Sequence, residues 1–100
     1  MGKQALNHFR ECIPIFQLLT DPHRQDILLL LSEHDFLSVN DITEHSTLSR
    51  PAVSHHLKLL REQGLIKVEQ RGTERYYSLS LEPAVKLLKE FLLSVERDCL

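Results

Sequence analysis

Apolar residues return at helical spacing along most of this chain. One stretch alternates instead, and short polar or proline-bearing breaks separate the segments. Ala5, Leu6, Phe9, Cys12, Ile13, Phe16 and Leu19 predict a first amphipathic helix. Pro14 falls inside it, removes a backbone donor and crowds the preceding turn. A kink or break is therefore expected near Ile13, with a second short piece resuming at Pro14. Asp21-Pro22 supplies a cap and a first-turn proline for a second helix carrying Ile27, Leu28, Leu30 and Leu31. Ser38-Val39-Asn40-Asp41 reads as a capping box with Asp in place of Glu, opening a short helix to about His45. Its inward residues are Val39, Ile42 and Leu48.

The stretch Leu48–Leu65 has both ends of a helix written into it. Ser49 can cap the start, Pro51 is tolerated only in the first turn, and Gly64 stands where a left-handed residue closes a helix. Val53, Leu57 and Leu60 fall on one side, and Ser54, His55, Lys58 and Glu62 on the other. With the preceding short helix and the turn Ser46-Thr47-Leu48 it forms a helix-turn-helix over residues 38–64, although that turn lacks the frequent glycine. Next, Ile66 and Val68 alternate with Lys67 and Glu69, and Tyr77 and Leu79 with Tyr76 and Ser78, around Gln70–Glu74. Residues 65–79 thus predict a β-hairpin with a basic tip. Ser80 to Pro83 opens a last helix on which Val85, Leu88, Leu92, Val95 and Cys99 recur, widened by Leu87, Phe91 and Leu100. So much apolar surface exceeds what a small core can cover, so residues 1–20 and 82–100 are expected to join two copies in a homodimer. The fold class is mainly α with a β-hairpin wing: one winged helix-turn-helix domain over residues 1–100, with about five helices and a two-stranded wing.

Charge turns this outline into a function. The net charge is only −2, but residues 1–49 carry −4, residues 50–75 carry +3 and the last 25 carry −1. Positive charge is concentrated on the Leu48–Leu65 helix and the hairpin, as expected of a face that meets DNA phosphates. The outward polar face suits a recognition helix in a major groove. The DNA-contact candidates are Ser49, Arg50, Pro51, Ser54, His55, Lys58, Arg71 and Arg75. If Arg50, Lys58, Lys67 and Arg71 each neutralise one phosphate per protomer, the logarithmic salt slope is about −7. His56, on the flank beside Ala52, is expected to hold the helix; His23, His34 and His45 need no special role, and Asp21 is a helix cap.

At this point the residues resemble a family. Leu19–Leu28, Leu48–Ile66 and Arg71–Leu79 are similar, in that order, to the ArsR/SmtB family of bacterial winged-helix repressors. The resemblance covers roughly residues 15–100. It implies a homodimer on a palindromic operator, released by an effector, with DNA-reading positions on Arg50, Pro51, Ser54 and His55. Arg50 stands where the family commonly has Gln, and Pro51 lacks a donor, so the operator sequence does not carry over from relatives. The family's metal ligands do not carry over. Ser38-Val39-Asn40 replaces the Cys-Val-Cys of the arsenic and lead sensors. Leu81, Pro83, Ser94 and Arg97 occupy the zinc-sensor positions of the last helix.

Other chemistry is sparse. Cys12 and Cys99 are the only cysteines, too few for a disulfide scaffold, and no apolar run approaches the ~20 residues of a membrane span. With no signal pattern at the N-terminus, a cytoplasmic protein with reduced thiols is expected. His8 and Cys12 share a helix face and, with Cys99 or Asp98 of a partner, form a candidate non-standard metal site. The blander reading makes both cysteines small apolar fillers. A thiol-based redox or sulfur switch joining Cys12 to Cys99 is the leading effector candidate and requires their Cα atoms within about 7 Å. No cofactor is expected. No glycine-rich phosphate loop or nucleophile–base set suggests an enzyme. The alternatives to a DNA-binding repressor are a winged-helix protein-interaction module without DNA, or a metal-responsive repressor.

Overall fold

Side chains that satisfy first-turn N–H groups set several element boundaries in the computed structural model, which describes residues 2–100. The order is α1 (Lys3–Leu18), α2 (Pro22–Ser32), β1 (Leu37–Ser38), α3 (Val39–Glu44), α4 (Arg50–Glu62), β2 (Ile66–Arg71), β3 (Glu74–Leu79) and α5 (Glu82–Cys99). Asp21 Oδ1 accepts from the His23 and Arg24 N–H groups at 2.8 and 3.3 Å, capping α2. At α3, Ser38 Oγ accepts from Asp41 N–H (3.1 Å) while Asp41 Oδ2 accepts from Ser38 N–H (3.0 Å). Hydrogen bonding from the Ser38 backbone N–H, and from its side chain, holds the Asp41 carboxyl below its ordinary value. Ser49 Oγ accepts from Ala52 N–H at 3.4 Å and opens α4. Gly64, at φ 72°, closes it. There Leu65 N–H reaches Leu60 O and Gly64 N–H reaches Arg61 O, both at 3.0 Å, the double bond pattern of a Schellman ending.

Two expectations give way. No break occurs at Pro14: α1 runs through it. A proline removes one helical hydrogen bond, but Cys12 and Ile15 on either side are both buried, so packing fixes both halves of the helix. The wing is not a bare hairpin either. β1 pairs antiparallel with β3, giving a three-stranded sheet in the order β1-β3-β2. Two residues are too short to show any alternation, so β1 left no trace in the pattern.

Ile42, Val53, Leu57 and Leu60 are completely buried, joined by Ile27, Leu31, Leu65, Ile66 and Tyr77. Each such aliphatic side chain stabilises the fold by about 1.5–3 kcal/mol relative to exposure. This core seats α4 against α2, α3 and β2. On the far side α1 and α5 run antiparallel: the rings of Phe9 and Phe91 lie 5.5 Å apart, and Arg97 Nη2 donates to Gln4 Oε1 at 2.8 Å.

Candidate DNA interface

Hairpin register decides which wing residues stand beside α4. Gly72 (φ 63°) turns the chain between Arg71 and Glu74 as the first residue of a two-residue loop. Ile66 pairs with Leu79, Val68 with Tyr77 and Gln70 with Arg75; Lys67, Glu69 and Arg71 pair with Ser78, Tyr76 and Glu74. Ile66 and Tyr77 are buried, so the first set faces the core and α4 and the second faces away. Arg75 therefore shares a side with α4, whereas Arg71 and Lys67 do not.

On α4, Arg50, Ser54, Lys58 and Arg61 follow one another at spacings of four, four and three. Together with Arg75 they line a groove of ≈ 440 Å³ between helix and wing, and no carboxylate lines it. Among the described residues, none of Arg50, Lys58, Arg61 and Arg75 has an ion-pair partner. Arg50 Nε is steadied by Asn40 Oδ1 of α3 at 2.9 Å, a neutral acceptor that aims the guanidinium without cancelling its charge. Pro51 and His55 are exposed on the same helix, and Ser49 serves as its cap.

The helix is also latched from behind. Arg24 Nη1 donates to His56 Nδ1 (3.2 Å), Arg24 Nε donates to Leu18 O (2.7 Å), and Asp21 Oδ2 lies 3.9 Å from Arg24. Guanidinium is donor only, so His56 accepts with a bare Nδ1. Burial pushes its pKa below the ordinary value; nearby Asp21 opposes this, and Arg24, His23 and His55 reinforce it.

The structure does not bring the other candidates together. Cys99 Sγ accepts from Gly2 N–H at 3.3 Å, while Cys12 lies ten residues further along α1. At 1.5 Å per residue that is about 15 Å. A Cys12–Cys99 bridge within one chain is therefore out of reach, which corrects the simplest form of the thiol switch. Cys12 is also fully buried, and burial, with Glu11 adding, pushes its thiol pKa up, away from the reactive thiolate. His8 Nδ1 approaches only Glu11, at 4.0 Å. Among the described residues no three His, Cys, Asp or Glu side chains converge as metal ligands, and no helix is long and apolar enough to cross a membrane.

Residues 21–68 match the profile of the bacterial regulatory protein, arsR family. The transcriptional repressor SdpR of Bacillus subtilis (strain 168) is 33% identical over 87 residues, covering 84% of this chain and 96% of that protein. The chain belongs to the ArsR family. A second relative, the arsenical resistance operon repressor of the same organism, is 35% identical over 89 residues, covering 84% of this chain and 85% of that protein. Among solved structures, NolR from Sinorhizobium fredii superposes with a TM-score of 0.75 at 26% identity, over 94% of this chain and 91% of that one. Membership in the ArsR family makes this a DNA-binding transcriptional repressor of winged-helix fold, not an enzyme.

Three contributors to this candidate interface were not among the residues expected from the sequence. Arg61 stands three residues after Lys58 and seven after Ser54, a spacing that was visible. Asn40 and Arg24 act across helix pairs, ten and thirty-two residues from their partners, and no local pattern reveals them.

Proposed function

We propose that this ArsR-family protein acts in the cytoplasm as a homodimer that represses transcription from an inverted-repeat operator. The observation that carries the reading is the carboxylate-free groove in which Arg50, Lys58 and Arg61 of α4 converge with Arg75 of the wing. Ser54 and His55 are the base-edge readers beside them, with Arg50 the discriminating cation and Pro51 an apolar surface for a thymine methyl. Dimerisation is supported by apolar side chains left exposed on the α1–α5 pair: Phe9, Phe16, Val85 and Leu92. Two-fold packing there sets the recognition helices one turn of DNA, about 34 Å, apart.

Fluorescence anisotropy on duplexes selected by the protein from a random pool tests this reading. Four phosphate contacts per protomer give a logarithmic salt slope of about −7, and recovered sequences should carry an inverted repeat. Salt-insensitive binding, or a selected pool without a repeat, sinks the reading.

A further inference from the structure

Phe36 is a large aromatic left 43% exposed, away from the α1–α5 surface. It immediately precedes β1, which hands the chain to α3, the first helix of the helix-turn-helix. Its ring is not idle: the Arg71 guanidinium carbon sits 4.1 Å from its centroid and 5.4 Å from that of Tyr76. The two rings meet edge to face at 5.9 Å. Arg71 Nη2 also donates to Glu69 Oε2 at 3.2 Å, and Tyr76 OH donates to Glu74 Oε2 at 2.8 Å. Glu69, Arg71 and Tyr76 lie on the wing face turned away from α4, and Phe36 meets that face from the segment before β1.

We infer that Arg71 is a positioning residue of the wing, stapling its tip to Phe36 at the root of the helix-turn-helix, and is not one of the phosphate contacts. Its charge is partly neutralised by Glu69 and its planar face is occupied by an aromatic ring. Arg75, four residues on and across the turn, has neither restraint. The staple links the two parts that line the DNA groove. The segment that runs from Phe36 through β1 into α3 carries Phe36, Val39 and Asn40, and the wing carries Arg71 on one face and Arg75 on the other. Arg71 thus acts through Arg75, by holding the strand that presents it. Phe36 is exposed because its partner is a cation at the surface, an arrangement in which the ring is covered without being buried.

The inference rests on the DNA-binding reading above, and two measurements keep the failures of each apart. The first needs no DNA: amide hydrogen exchange in the free protein. Phe36→Leu and Arg71→Ala should both accelerate exchange across Arg71–Tyr76 several-fold, while Arg75→Ala leaves it as in the wild type. Unchanged exchange in the first two overturns the staple whether or not the protein binds DNA. The second is the salt dependence of anisotropy on a mixed-sequence duplex of about 30 base pairs. Arg75→Ala should reduce the slope by about 0.9 per protomer. Phe36→Leu and Arg71→Ala should each lower affinity about two- to five-fold with the slope intact. The double variant should lose no more than either single one, and Phe36→Tyr should bind as the wild type does. A slope lowered by Arg71→Ala to the same degree as by Arg75→Ala overturns the inference and returns Arg71 to the phosphate contacts. A wild type that fails to bind the duplex overturns the DNA reading itself, with the exchange data still deciding the staple.

Discussion

Helices α4 and α5 are both amphipathic, yet they are finished to different degrees. The inner residues of α4, Val53, Leu57 and Leu60, are 0% exposed, because α2, α3 and the sheet of the same chain close over them. On α5 only Ala84 and Ser94 are buried, while Leu92 is 57% exposed. Its one neighbour of any extent is α1, which covers a single side. The chain therefore completes the helix of the candidate DNA interface within one protomer and leaves the apolar face of the last helix open, the surface proposed above for a second copy. In the proposed dimer, a recognition helix fixed within its protomer and joined to its twin through a separate surface would let the spacing of the two helices change without loosening either one.

The most damaging way to test this contrast is to hollow the finished side. Leu57→Ala should cost about 2–5 kcal/mol of unfolding free energy, measured by urea titration. A loss below about 1 kcal/mol would mean that α4 is not seated as described. Leu92→Glu probes the unfinished side. It should leave the thermal midpoint of the protomer almost unchanged while weakening dimerisation by at least about a hundredfold in sedimentation equilibrium, because an unpaired charge is placed in an apolar interface. If the variant dimerises as the wild type does, the α1–α5 surface is not the interface. A smaller effect is expected at the entry to α4. Ser49→Ala removes a cap at a long 3.4 Å contact, so it should cost about 0.5–1 kcal/mol in the same urea titration. A larger loss would show that the helix depends on its start more than on its buried face.

The contrast was unevenly legible in the sequence. Ser49, Pro51 and Gly64 bracket α4 through local chemistry, and Val53, Leu57 and Leu60 give its inner face by periodicity, so that helix could be drawn almost to the residue. The wing was harder in an instructive way. Treating Gln70–Glu74 as one loop left the register open, and a shift of one residue exchanges the faces of a strand. The inward set Ile66, Val68, Tyr77 and Leu79 already fixed the parity that turns Arg71 away from α4 and Arg75 toward it. Strand β1 and the bonds from Arg24 and Asn40 depend on which segments meet in space, and one-dimensional periodicity holds no record of that. At Pro14 a valid local rule met burial on both sides of the proline, and burial won.

The latch behind α4 yields the subtlest expected effect, one carried by pH. His56 accepts from Arg24 through a bare Nδ1, so the bond exists only while the imidazole is neutral. Protonation would set a cation against Arg24, with His23 and His55 close by and only Asp21 to offset them. Folding lowers the His56 pKa from 6.5, so the unfolded chain takes up the proton at higher pH than the folded one. The stabilisation is accordingly complete above about pH 6.5 and is lost as pH falls through the lower, folded value. His56→Asn keeps an oxygen acceptor near the position of Nδ1 but cannot titrate. Urea stability measured from neutral to mildly acidic pH should therefore fall less in His56→Asn than in the wild type, the remaining histidines contributing equally to both. Identical acid losses would show that Arg24 grips α4 without depending on the charge of His56. In that case the bonds from Arg24 hold α4 equally at neutral and mildly acidic pH.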